Sequence, residues 1–240
     1  MNKTAIEWAD FSWNPLVGCK NDCPYCYARR LATTRLAHLC PDCGTFTPHF
    51  HPERVTQVSR VKRPSLIFAD SMADWWSTGV DLFERLQCVR VMVDAPQHRF
   101  IVLTKRPERI DPLRDMIGWP SNAWLGVSIT SGEDWWRWES LAKLPEHIHM
   151  FISVEPLLGG GIAVRIHDAL KYGAPTPEWL ILGPQSGPDA IKPFDTWQFL
   201  IRDECDWGAI PLFEKPHLPL QPAIRQMPAD LASVFRKGLL

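Results

Sequence analysis

A chain of 240 residues that is 45% hydrophobic can bury one sizeable core, and an α/β barrel can use that whole length as a single domain, here residues 1–240. Its net charge of -1 excludes a dedicated, sequence-independent DNA binder, so any nucleic-acid contact has to be local. No apolar run approaches the roughly 18 residues of a membrane helix, and Met1–Trp8 lacks the apolar core of a signal peptide; a cytoplasmic protein without membrane contact is expected.

Seven cysteines, odd in number and clustered, argue against a disulfide framework and for a metal site in a reducing compartment. Three of them, Cys19, Cys23 and Cys26, form a C-x3-C-x2-C run with Tyr27 after the last. Cysteine thiolates bind [4Fe–4S] clusters, and three of them leave one iron open for a small molecule. A zinc knuckle is the rival reading, but structural zinc wants four protein ligands. The spacing resembles that of the radical S-adenosylmethionine (SAM) superfamily. That resemblance implies SAM bound at the open iron and cleaved by one electron to a 5′-deoxyadenosyl radical, with flavodoxin or ferredoxin as electron donor.

A strand before Cys19 is weakly marked. Residues 38–64 read as an irregular insertion. Within it Cys40-Pro41-Asp42-Cys43 is a C-x2-C knuckle with His38, His49 and His51 nearby, a candidate second metal site, zinc or an auxiliary cluster, against free thiols. Apolar runs then predict strands at 65–69, 99–103, 123–129, 149–154, 179–182 and 209–213. Amphipathic stretches predict helices at about 80–95, 132–143 and 195–205. Near-continuous apolar strands separated by helices predict a parallel sheet covered on both faces, an α/β partial (β/α)6 barrel. The proline-rich tail, 216–240, is expected to wrap the surface. Cys88 and Cys205 read as core, and the twelve tryptophans as core and pocket wall.

In such barrels the chemistry sits at the carboxyl ends of the strands. There the chain places Asp70, Ser71 and Asp74, then Thr104, Lys105 and Arg106, then Ser128, Glu155, Gln185 and Lys215. A helix cap or solvated loop competes as a reading for each, most strongly for Ser71, Asp74 and Ser128. Glu155 is the best candidate acid. Lys105, Arg106 and Arg109 stand at a helix start, where cations oppose the dipole unless an anion is bound, and so suggest a phosphate or carboxylate clamp.

The segments Thr4–Trp8, Trp13-Asn14-Pro15, Cys26-Tyr27-Ala28, His51-Pro52-Glu53-Arg54, Asp70–Asp74, Leu103–Arg109, Trp124–Ser128, Ser153–Gly159 and Arg202–Cys205 together resemble a phage and prophage radical-SAM-like family. The resemblance spans about 4–215. It implies a radical SAM barrel, cluster ligands at Cys19, Cys23 and Cys26, and SAM contacts among Asp70, Ser71, Asp74, Ser128, Glu155 and Gln185. Some phage relatives are linked to hypermodified thymine, which implies a modified nucleobase, in DNA, as substrate and an isomerase-type reaction. Two features depart from the family: a short spacer between the first two cysteines, and Gln185 in place of a glutamate. The competing expectations are a radical SAM enzyme acting on a peptide or small metabolite, and a zinc-stabilised nucleic-acid-binding module without catalysis.

Overall fold

The structure is a computed structural model describing residues 1–116, 118–187 and 189–237. Among these residues the strands are β1 (Asn2–Lys3), β2 (Phe11–Ser12), β3 (Leu16–Val17), β4 (His49–Phe50), β5 (Leu66–Phe68), β6 (Arg99–Thr104), β7 (Ala123–Ile129), β8 (Met150–Val154), β9 (Leu180–Leu182) and β10 (Leu212–Glu214). Helices are α1 (Tyr27–Thr34), α2 (Pro41–Thr45), α3 (Pro52–Val55), α4 (Leu82–Val93), α5 (Pro112–Asp115), α6 (Trp136–Leu141), α7 (Ile162–Tyr172), α8 (Asp195–Trp207) and α9 (Ala229–Ala232). Eight strands form one curled half-barrel sheet in the order β1-β2-β5-β6-β7-β8-β9-β10. Only the β1–β2 pair is antiparallel; the other pairs are parallel. The six apolar runs are thus β5–β10, and the weakly marked strand before Cys19 is β2, so seven parallel strands replace the expected six.

Side chains alternate between the two sheet faces, and two cores result. One face, carrying Ile67, Val102, Val127, Ile152 and Leu182, packs against the helices. For α4 the buried stripe is Arg85, Cys88, Val89 and Met92, at helical spacing, and the Asp81 side chain caps its start by accepting from Phe83 N at 2.7 Å. Cys88 and Cys205 are buried in this layer, as expected. The inner face is floored by Trp8, Phe68, Trp124, Phe151, Trp179 and Phe213. Burying aromatics of this size contributes about 1.5–3 kcal/mol each relative to exposure.

The structure adds detail to two sequence expectations. The segment 38–64 is ordered: it holds α2, β4, α3 and a 3-10 turn at Thr56–Arg60, and β4 pairs with β3. The tail does more than wrap the surface. Leu231, Val234 and Phe235 enter the inner core and close the floor. Residues 224–226 run antiparallel along β10, with Glu214 N donating to Ile224 O at 2.8 Å and Gln226 N to Leu212 O at 2.9 Å. The exposed edge of the sheet is thereby covered. Among the described residues no helix is long and apolar enough to cross a membrane.

Candidate active site at the cysteine rim

The cysteine loop leaves the carboxyl end of β2 and is fastened at each step to the ends of β5 and β6. The Asn14 amide donates to Ser71 Oγ at 3.0 Å and accepts from Met72 N at 3.0 Å. Gly18 N donates to Met72 O at 2.9 Å. Gly18 has φ +91°, and a Cβ there would stand 2.2 Å from the Thr47 carbonyl oxygen, so only glycine fits. Lys20 N donates to Ser77 Oγ at 2.8 Å. Cys26 is the N-cap of α1, its sulfur accepting from Arg29 N at 3.3 Å, which sets it beside the positive end of the helix dipole. Cys19, Cys23 and Cys26 are all half-buried free thiols. Burial, then the Asp74 carboxylate, push the Cys19 thiol up to about 11.

Asp74 accepts four hydrogen bonds: from Thr104 Oγ1 at 2.8 Å, Trp76 N at 3.0 Å, Lys105 N at 2.9 Å and Asn21 Nδ2 at 2.7 Å. It therefore ties the cysteine loop to the β6 exit. Asp70 is buried and accepts from Leu103 N with both oxygens at 3.1 Å; burial raises its carboxyl well above the usual range. Ser71 meets Asn14 on one side, and its carbonyl accepts from the Tyr27 hydroxyl at 2.6 Å. Burial pushes the Tyr27 phenol up, and the Glu155 and Asp70 carboxylates add to the shift. Tyr27 thus joins the start of α1 to the acids of the rim.

Alternation along the strands places Gly126, Ser128, Ser153, Glu155, Gly183 and Lys215 above the aromatic floor. Gly126 lies against the Phe151 ring, where a Cβ would come within 2.4 Å. Ser128 pairs in register with Ser153, and both are buried. Glu155 forms an ion pair with Lys215, each side chain about a fifth exposed at 22% and 23%. Gln185 accepts from Ile191 N at 3.2 Å within the loop after β9. A Cβ on Gly187 in that loop would meet the Arg30 guanidinium of α1 at 2.5 Å, so α1 and this loop touch across the mouth. Trp135 and Trp138 pack inward, while Trp136 stays exposed with the Arg137 guanidinium over its ring.

The basic group also lies on this rim. Lys105 Nζ sits 5.4 Å from the centre of the Tyr25 ring, between two of the cysteines in sequence. Arg106 Nε donates to Asn21 Oδ1 at 2.9 Å and pairs with Glu108 at 3.4 Å, and Arg109 donates to Thr78 Oγ1 at 2.5 Å. Lys105 and Arg106 thus brace the cysteine loop from outside. Asn14, Asn21, Tyr25, Tyr27 and Arg30 carry the geometry without having been assigned a role in the sequence. Tyr27 and Asn14 were visible there only as parts of motifs, because a bracing amide or phenol has no spacing rule of its own.

Behind the loop a second group gathers. Ligand atoms of Cys40, Cys43, His49 and His51 lie within 4.8 Å of one another, a set that could hold a metal ion. His38, the third histidine near the knuckle in sequence, stays outside it.

Comparison with known proteins bears on the fold and the family. The fold is similar to spore photoproduct lyase complexed with dinucleoside spore photoproduct, at TM-score 0.52 and 12% identity over 92% of this chain. It is equally similar, at TM-score 0.52 and 12% identity, to a double mutant of that lyase with bound AdoMet and dinucleoside spore photoproduct. The chain spans 64% of the length of the lyase in both cases. No curated protein matches it in sequence. Residues 3–219, most of the chain, match the family described as DUF5131, protein of unknown function, and the chain belongs to that family.

Proposed function

We propose that this protein is a radical SAM enzyme. One observation carries the reading: three thiols on one loop stand at the carboxyl rim of seven parallel strands, above a walled bowl of serines and a Glu155–Lys215 pair. The donor set fits a [4Fe–4S] cluster held by Cys19, Cys23 and Cys26, since three soft thiolates on a short loop suit iron–sulfur ligation and leave one coordination position open. When bound, cluster and SAM would supply hydrogen-atom abstraction. The chain's own part is binding and orientation. Asp70, Ser71, Asp74, Ser128, Glu155 and Gln185 would contact SAM, with Asp74 also holding the cysteine loop in place through Asn21. The aromatic floor excludes water from below. Lys105, Arg106 and Arg109 would meet an anionic group of the substrate at the mouth.

The substrate we favour is a modified nucleobase in DNA, undergoing an isomerase-type change. Two points support it: the cationic rim on a chain of net charge -1, and the fold shared with a lyase that is described bound to a dinucleoside photoproduct. A target base would have to be flipped out to reach the bowl. A phage setting, a flavodoxin or ferredoxin donor and a cytoplasmic location belong to the same proposal. The test is anaerobic incubation of reconstituted protein with SAM and dithionite. Formation of 5′-deoxyadenosine, lost in the Cys19→Ala, Cys23→Ala and Cys26→Ala variants, is expected. Undiminished product from the triple variant would overturn the cluster assignment. Turnover of a peptide with none on any nucleotide would move the substrate to the other class and leave the chemistry intact.

A further inference from the structure

We infer that Cys40, Cys43, His49 and His51 form a tetrahedral zinc site that staples the 38–64 segment to the back of the cysteine loop. The hydrogen-bond geometry of the two imidazoles leaves a place for a cation. His49 Nδ1 lies 2.7 Å from the Thr47 carbonyl oxygen, which can only accept, so Nδ1 carries the proton. His51 Nδ1 lies 2.9 Å from Glu53 Oε1, and the same argument puts its proton there. Both Nε2 atoms then present lone pairs, and they face each other at 2.8 Å. Two acceptors at that distance repel unless a proton or a metal ion stands between them, and two thiols set around the same nitrogens favour the metal.

The thiols close the figure. Cys40 Sγ is 3.4 Å from His49 Nε2, and Cys43 Sγ is 3.3 Å from His49 Nε2 and 3.6 Å from His51 Nε2. In a zinc tetrahedron with Zn–S of about 2.3 Å and Zn–N of about 2.0–2.1 Å, ligand atoms stand about 3.3–3.8 Å apart. The sulfur–nitrogen distances already match; only the two nitrogens need to part slightly. These separations suit one ion and are too short for the corners of an iron–sulfur cube. Two thiolates and two neutral imidazoles neutralise a divalent ion, and the set is one that zinc takes in structural sites. The Thr47 carbonyl and Glu53 carboxylate are the outer partners that fix such ligands. Both thiols would release their protons to solvent on binding.

The location gives the site its task. His49 lies in β4, directly paired with Val17 of β3, two residues before Cys19. Cys19 N donates to Phe46 O at 3.2 Å, and Phe46 follows α2, which begins beside Cys40. The zinc would therefore fix the wall on which the cysteine loop rests. It does not rest on the radical SAM reading, and it can fail or hold separately.

The experiment is metal analysis of protein purified without added zinc. About one zinc per chain is expected in wild type and also in the Cys19→Ala/Cys23→Ala/Cys26→Ala variant, which cannot hold the cluster. The Cys40→Ser/Cys43→Ser and His49→Ala/His51→Ala variants should lose it. Should those variants fail to fold, two further measurements decide. Cobalt(II) added to chelator-treated wild type should give the visible bands of a tetrahedral sulfur–nitrogen site. Glu53→Gln should keep the site but weaken zinc binding about tenfold. Iron and acid-labile sulfide retained in the triple variant, a Cys40–Cys43 disulfide, or the absence of any stoichiometric metal at these four residues would each overturn the proposal.

Discussion

Glu214 and Lys215 are neighbours with opposite duties, and strand alternation explains why. Glu214 is fully buried towards α8, held by Arg202 at 2.6 and 2.8 Å, by Gln198 Nε2 at 2.8 Å and by Ile224 N at 2.8 Å. Lys215 points the other way, into the bowl, to Glu155. The sequence alone does not reveal which member of a strand's last polar pair faces in. Arg202, met only as part of a motif, proves to be the partner that makes a buried carboxylate tolerable. His98 shows another buried polar group. Its Nε2 donates to Val61 O at 3.0 Å, and its Nδ1 is buried without a hydrogen-bond partner among the described residues. Burial lowers its pKa, because protonating Nδ1 would bury a bare charge. The folded state then binds fewer protons than the unfolded one below pH about 6.5. Its contribution to stability is complete above that pH and is lost as pH falls towards the folded value. Denaturant titrations at several pH values should show stability falling on acidification, and His98→Gln should flatten the slope. An unchanged slope would refute this.

Strands were the most legible elements. Ala123–Ile129 was predicted at its observed limits, because a run buried on both faces is apolar at nearly every position, here all but Ser128. The last strand was placed at 209–213 but forms at Leu212–Glu214: Pro211 has no N–H for the ladder, and Ala209 takes φ +50° in the turn before it. Helix α7 went unread. Its start, Gly161, offers no side-chain cap, and Ile162-Ala163-Val164-Arg165-Ile166 alternates like a strand. The buried set Ile162, Ala163, Ile166 and Ala169 reveals the helical period only once the helix is packed. The pieces of the 38–64 segment are not legible in the sequence, because they are short and held by side-chain chemistry rather than by periodicity. At Gly18 this segment and the cysteine loop meet backbone to backbone. Gly18→Ala should therefore displace the loop: cluster iron per chain after reconstitution should fall severalfold, with a smaller change in unfolding temperature. Full iron loading of the variant would show that the contact is not needed.

At the scale of the molecule the half-barrel has an entrance and a closed end. The entrance carries the cysteines. The closed end is sealed by the tail, where Asp230 bridges Arg99 Nε at 2.6 Å and Trp124 Nε1 at 3.2 Å, and Arg236 N donates to Asp10 at 3.0 Å. The match to the family ends at residue 219, before these contacts begin. Ending the chain at 219 should expose both the β10 edge and the aromatic floor. Such a protein is expected to associate with itself and bind hydrophobic dyes, as light scattering and dye fluorescence would report; a monodisperse, dye-silent product would refute this. The order of the chain gives the same feature a consequence in time. All seven parallel strands leave the ribosome before residues 224–226, the segment that covers the last of them. Throughout that interval the nascent sheet carries an unpaired edge, the condition in which folding chains are most prone to misassembly. The edge can close only after the whole sheet has been made, and slow passage of the ribosome through 215–226 would prolong the chain's dependence on chaperones.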